Sequence, residues 1–111
     1  MVHIGTRTSV GHGVAIHGPC QIKEDCFIAM RSTLYSANLQ SQVWVGINAT
    51  IMRVTLDANT YVPAGRVIRS TGDARELRMI SEKERIYMTK VLQDTNRLRE
   101  DYCKMCTGVT A

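Results

Sequence analysis

The chain has few aromatic residues, since Phe, Trp and Tyr together make up 5% of its 111 residues. A core with so few aromatic side chains must be built from small and β-branched residues. The sequence has no run of about 18 apolar residues, and it therefore predicts no membrane-spanning helix. Its N-terminal residues also lack the apolar core of a signal peptide, so we expect no export.

Charge of one sign is not concentrated anywhere in the sequence. The net charge is +4, but the basic residues alternate with acidic ones, as in "EKER" and "RLRED". This pattern predicts a solvated surface and no nucleic-acid partner. The four cysteines, in a chain without an export signal, indicate reduced thiols and a cytoplasmic location. Length and composition fit one globular domain.

What the sequence does have is a repeat with a period of six residues. Amphipathic helices repeat at 3.6 residues and exposed strands at 2, so neither explains it. A period of six predicts a parallel β-helix with three short faces, or about 18 residues per coil. We therefore predict a mostly β fold of about three and a half coils, from Ile4 to about Ile68. The large aliphatic residues of the repeat are Ile4, Val10, Ile16, Ile22, Ile28 and Leu34, followed after a one-residue shift by Leu39, Val45 and Ile51.

Two further positions of the repeat carry small residues. The fifth position is always small or β-branched and should point inward beside a corner. Cys20 and Cys26 occupy this position, so we predict that both are core residues without a disulfide. The second position is often glycine, as at Gly5 and Gly11, and we expect these glycines to turn the corners with unusual backbone angles.

The period changes after the turn residues Pro63, Gly65 and Gly72. The predicted organisation is a β-helix over 1–70, a connector over 71–80, a helix over 81–103 packed on the β-helix, and a tail over 104–111. Within the connector, "DARE" resembles a short helix start.

The C-terminal helix has a start signal and an apolar stripe. Ser81 and Glu84 have the spacing of a capping box, in which each side chain bonds to the other residue's backbone amide. The stripe should lie along the β-helix or against a neighbouring protomer. Its members are Tyr87, Val91, Leu98 and Tyr102, flanked by Met88 and Leu92.

The stretch "VGHGVAIHGP" contains His12 and His17 in the motif H-x4-H-G-P. This motif, the later "DCFI" strand and the "YVPAG" turn together resemble the γ-class carbonic anhydrases, including the N-terminal domain of the carboxysome scaffold protein of that family. The resemblance covers nearly the whole chain. It implies a left-handed β-helix that forms a homotrimer with a zinc or iron site between protomers. It also implies that one protomer supplies His12 and its neighbour supplies His17.

The sequence departs from the family at the remaining site residues. Catalysis in the family needs three imidazoles and a metal-bound water, and the third histidine would precede Met1. His3 lies several residues from the required position, and we do not expect it to be a ligand. The family's proton-shuttle carboxylates have no match, and Thr95 stands where an asparagine is expected, although Tyr102 does match. We therefore predict an incomplete metal site with weak or absent zinc or iron, and we assign no catalytic residue.

The sequence is compatible with three functions. The first is a trimeric scaffold or binding protein without catalysis. The second is a carbonic anhydrase whose site is completed by a partner or another ligand. The third is a hexapeptide-repeat acyltransferase, which shares the period of six.

The first coil would also expose unpaired strand edges, so we expect end-to-end stacking or a partner that covers this coil. The C-x2-C pair Cys103 and Cys106 is a weak signal, because a four-ligand zinc site needs a second pair.

Overall fold

In a computed structural model, the backbone is described for residues 1–110 and the side chains for residues 1–101. The chain forms a parallel β-solenoid followed by a short helix and a long helix, which confirms the predicted fold class. Among the described residues, no helix is both long and apolar enough to cross a membrane. The elements are β1 (Val2–Ile4), β2 (Ser9–Val10), β3 (Ala15–His17), β4 (Cys20–Ile22), β5 (Phe27–Ile28), β6 (Thr33–Tyr35), β7 (Asn38–Leu39), β8 (Trp44–Val45), β9 (Thr50–Met52), β10 (Thr55–Leu56), β11 (Tyr61–Val62), β12 (Val67–Ile68), α1 (Thr71–Arg75) and α2 (Glu82–Thr110).

The twelve strands form three parallel sheets of four strands each, so the solenoid has about four coils. Sheet A contains β1, β4, β7 and β10, sheet B contains β2, β5, β8 and β11, and sheet C contains β3, β6, β9 and β12. Each coil contributes one strand to each sheet, and its strands pair with those of the adjacent coils. The very short strands suffice, because the ladder continues through the stack.

The coils do not all have the same length. Val2 pairs with Cys20 in the second coil, and Gln21 of the second coil pairs with Asn38 in the third. The sequence spacing between the paired residues is one residue shorter in the second case. The difference arises at the corner between sheets C and A, where the first coil contains Pro19 as an extra residue. This insertion is the physical origin of the shift in the sequence repeat after Leu34.

The corners are turned by residues in the left-handed region of backbone space. Eight non-glycine residues and three glycines adopt φ between +48° and +74°. They stack in three columns, one along each edge of the solenoid, so the backbone strain of one corner recurs in the next coil. The columns are Arg7, Asp25, Gln42 and Asn59; Gly13, Arg31, Asn48 and Gly65; and Gly18, Ser36 and Arg53.

The role predicted for the second-position glycines is therefore wrong. Gly5 and Gly11 are not among the residues with positive φ. A Cβ atom on Gly5 would lie 2.7 Å from the Glu24 amide nitrogen, and one on Gly46 would lie 2.5 Å from the Ala64 nitrogen. Glycine is needed there because the backbone of the next coil passes directly over it.

The core is a column of aliphatic side chains along the solenoid axis. Ile22, Ile28 and Leu34 of the second coil are fully buried, but their first-coil counterparts Ile4 and Val10 are 43% and 44% exposed. The first coil forms one end of the described stack, so its axial residues are covered by another coil on one side only.

The small inward residues fill the corners as predicted. Cys20 and Cys26 are buried free thiols, which confirms their assignment to the core. Burial raises the pKa of the Cys26 thiol to about 11, so it stays protonated at neutral pH. Ser32 is also fully buried, and its hydroxyl oxygen lies 2.8 Å from the carbonyl oxygens of both Ala29 and Gly46, so its single proton has two alternative acceptors.

Helix α2 begins with the predicted capping box. The Ser81 amide donates to Glu84 Oε1 at 3.0 Å, and the Glu84 amide donates to Ser81 Oγ at 3.4 Å. Arg78 adds an ion pair to the same carboxylate at 2.7 Å. The bond from Arg78, followed by those from Ser81, lowers the pKa of Glu84 to about 2.

The C-terminal boundary of α2 differs from the prediction. The helix extends to Thr110, whereas we expected it to end at 103 with a tail over 104–111. No proline interrupts this segment, and its one glycine, Gly108, disfavours a helix by only about 1 kcal/mol. The backbone hydrogen bonding of the helix therefore continues past residue 103 to Thr110. Tyr87 packs on Phe27 of sheet B, whereas Leu98 is 57% exposed, so the described part of the apolar stripe leaves the solenoid before Leu98.

We predict that Gly46→Ala destabilises the protein far more than Gly65→Ala. The new methyl group at position 46 would overlap backbone atoms of the next coil, and forced overpacking costs about 2 to 3 kcal/mol. At Gly65 nothing lies within 4 Å, so only the left-handed backbone is penalised, by about 1 kcal/mol. Denaturant unfolding of both variants measures the difference. Equal losses would contradict the close-approach explanation.

The capping box predicts a specific acid sensitivity. Because the folded pKa of Glu84 lies below its ordinary value of 4.5, its contribution to stability is complete above pH 4.5 and is lost as the pH falls towards 2. Glu84→Gln removes this group. We expect the thermal midpoint of the variant to decrease less than that of the wild type over this pH range. Parallel curves for the two proteins would show that Glu84 contributes nothing.

Candidate functional site

His12 lies on the wall of a groove between sheet B and helix α2. It follows β2 after Gly11, and its side chain is exposed at the groove. The groove has a volume of about 520 Å³, and Val10, Met30 and Val91 also line it. Thr95, the position where the family resemblance suggested an asparagine, lines the same groove.

The floor of this groove is an aromatic ladder. Phe27, Trp44 and Tyr61 occupy paired positions in consecutive coils on the outer side of sheet B. The ring centroids of Phe27 and Trp44 are 4.4 Å apart and stacked, and those of Trp44 and Tyr61 are 5.9 Å apart. Tyr87 of α2 meets Phe27 edge-on at 5.7 Å. These contacts anchor the helix to the solenoid.

His17 lies on the neighbouring sheet, at the end of β3. Its ring stacks on Tyr35 of the next coil, with centroids 5.2 Å apart and planes 15° apart. The guanidinium of Arg53 lies 5.4 Å from the Tyr35 centroid. The His17 carbonyl accepts a bond from the Ser36 amide at 3.0 Å. His17 is therefore held by both its backbone and its ring.

The two histidines do not form a closed metal site within one chain. They belong to different faces of the solenoid, and no three His, Cys, Asp or Glu residues come together among the side chains of residues 1–101. His3 is exposed on β1, paired with Gln21. Structural zinc needs four ligands and catalytic zinc needs three with an open position. The described residues of one protomer therefore do not fit a zinc or iron centre.

An apolar column that stacks on the His12 position in the later coils was not predicted from the sequence. Met30 and Ile47 follow His12 along the same edge of the solenoid and are 46% and 50% exposed. Val67, on sheet C, is exposed as well. Met30 and Ile47 occupy equivalent positions of consecutive coils, and this spacing could have predicted the column. The equivalence can be identified in the sequence only when the shorter length of the second coil is known.

The predicted residues at the end of the helix lie outside the part of the structure with described side chains. These are Tyr102, which matches the family, and the C-x2-C pair Cys103 and Cys106.

Comparison with known proteins agrees with this architecture. A carboxysome assembly protein CcmM from Nostoc sp. is 30% identical over 101 residues, and one from Synechococcus elongatus is 29% identical over 91 residues. A carbonic anhydrase from Methanosarcina thermophila is 27% identical over 81 residues. The chain is a homologue of the γ-carbonic anhydrases and of CcmM. No protein-family model matches it.

The alignments cover most of this chain but only a part of each relative. They include 91% and 82% of the chain for the two CcmM proteins, which correspond to 18% and 17% of those proteins. For the carbonic anhydrase the shares are 73% of the chain and 33% of the enzyme. The chain thus spans less than a fifth of the two aligned CcmM proteins and a third of this carbonic anhydrase.

Proposed function

We propose that this protein is a trimeric γ-carbonic-anhydrase-like scaffold or binding module with an incomplete metal site between protomers and no catalysis of its own. The observation that carries the proposal is the exposed apolar column of Met30 and Ile47, which continues from His12 along one edge. Contiguous exposed apolar surface of this kind is typical of an interface.

The coil register gives the interface a specific form. A three-fold axis parallel to the solenoid places equivalent coils at the same height. The column of His17, Tyr35 and Met52 on one protomer would then face the column of His12, Met30 and Ile47 on the next. The histidines would meet at the level of the first coil. Apolar side chains would meet at the second and third.

This arrangement supports metal binding without catalysis. Two imidazoles from neighbouring protomers leave the first shell of zinc open, and such a site binds divalent metals weakly. Zinc or iron would be held, if at all, by His12 and His17. Among the side chains of residues 1–101, no three His, Cys, Asp or Glu residues cluster within one chain, and we assign no reaction step to the metal.

The alternative function is carbon dioxide hydration at a site completed by another ligand. The relatives from Methanosarcina thermophila and from Arabidopsis thaliana are named as carbonic anhydrases, and this favours the alternative over an acyltransferase. The two hypotheses differ in whether a third ligand reaches His12 and His17.

The exposed first coil supports a second contact. Ile4 and Val10 are partly open to solvent, and β1, β2 and β3 are each paired on one side only. Such edges favour strand addition. We propose that another trimer stacks there or that a partner covers the coil. The free thiols Cys20 and Cys26 are compatible with the cytoplasm as the location.

We predict that Met30→Asp converts the trimer to monomers in sedimentation velocity, because a carboxylate would be buried in the apolar column. Ile47→Asp should act in the same way. Met79→Asp is the control, since Met79 is exposed on the connector away from this edge. A monomeric wild type, or a Met30→Asp trimer, would contradict the interface. Species larger than a trimer in the wild type would support stacking.

Metal analysis of the untagged protein tests the incomplete site. We expect less than one zinc or iron per protomer after desalting, and carbon dioxide hydration no faster than in buffer. His12→Ala and His17→Ala should each reduce residual zinc binding further. Stoichiometric metal, with both metal and hydration activity lost in His12→Ala, would favour the enzyme instead.

A further inference from the structure

A second cavity lies on the other side of α2, where the helix meets the edge between sheets A and B. Its volume is about 150 Å³, and it is distinct from the histidine groove. Two arginines line it from different elements, Arg7 from the first coil and Arg85 from α2. Ser9 lines it as well, and Asp25 supplies the one carboxylate. Two positive charges therefore share a small cavity with one negative charge.

Arg7 is held in place by Asp25. Its Nε donates to Asp25 Oδ1 at 2.7 Å, and its Nη2 donates to Oδ2 at 3.2 Å. This two-point pair uses one edge of the guanidinium and fixes its plane. Within residues 1–101, Nη1 donates no hydrogen bond, so one end of the guanidinium has donors available.

Arg85 is left without an ionic partner among the described side chains. Its one side-chain hydrogen bond runs from Nη1 to Gln42 Oε1 at 3.5 Å, beyond the usual range for a strong bond. No carboxylate of residues 1–101 lies within ion-pair distance of it. The Ser9 hydroxyl also forms no hydrogen bond in this part of the chain. The cavity thus presents several donors and an uncompensated positive charge.

The remaining walls add no charge, so the two arginines and Asp25 alone set the sign of the cavity. Ile80, Met88 and Leu92 are apolar, and the Cys26 thiol on the wall remains neutral because burial raises its pKa to about 11. The volume is too small for a nucleotide or a drug-sized ligand, which need roughly 300 Å³ or more. It suffices for a small oxyanion. Arginine forks bind planar and tetrahedral oxyanions through paired bonds.

We propose that Arg7 and Arg85, with the Ser9 hydroxyl, form a binding site for a small oxyanion of the bicarbonate or phosphate class. A bound anion would bridge the solenoid to α2 and stabilise the docking of the helix. The site does not depend on the histidines, on a metal or on the trimer interface.

The test is NMR titration of the protein with bicarbonate and, separately, with inorganic phosphate, at an ionic strength kept constant with chloride. We expect saturable shifts of the arginine Nε–H signals of Arg7 and Arg85 with at least one of these oxyanions. Arg85→Gln should weaken the apparent affinity at least about tenfold, as expected for loss of a charge-assisted bond. Arg85→Lys keeps the positive charge but lacks the paired donors of the guanidinium, and it should retain part of the affinity for the oxyanion.

Arg97→Gln is the matched control, since Arg97 is an exposed arginine farther along the same helix. It removes the same charge and should leave the affinity unchanged. The proposal is overturned if neither oxyanion gives saturable shifts. It is also overturned if Arg85→Gln binds as the wild type does, or if Arg97→Gln loses affinity equally. The thermal midpoint of each variant without the anion verifies that it is folded.

Discussion

The structure depends on the parallel hydrogen-bond ladder that joins each coil to the next. The very short strands have no stability alone, and they persist here because every coil repeats the same three faces and three corners. The ladder requires that corners stack on corners. This constraint explains why left-handed residues form columns and why Gly5, Gly11 and Gly46 lie where one backbone crosses another.

The fold was predictable because its signal is long-range and repeated. The axial aliphatic residues, Cys20 and Cys26 in the core, and the Ser81 to Glu84 cap all followed from spacing alone. The corner residues were not predictable in the same way. Arg, Asp, Gln, Asn and Ser fill the left-handed positions as well as Gly, so composition does not mark them. The end of α2 was also missed, because nothing after 103 strongly favours or forbids a helix.

The candidate site was predictable as a pair of residues but not as a geometry. The spacing of His12 and His17 is explicit in the sequence, but only the solenoid shows that they occupy different faces. Their surroundings also differ, since His17 stacks on Tyr35 while His12 opens onto the aromatic groove. The aromatic neighbours come from later coils. They could be identified from sequence only after the shortening of the coil beyond Pro19 was located.

Helix α2 changes how this molecule is expected to unfold. A solenoid with only nearest-neighbour contacts can lose its coils one at a time from an end. Here Tyr87 packs on the second and third coils through Phe27 and Trp44, and Arg7 of the first coil and Leu92 of the helix line one cavity. One helix thus links three coils that are otherwise joined only in series. We therefore expect the first three coils to open together with the helix contacts, and not one at a time from that end.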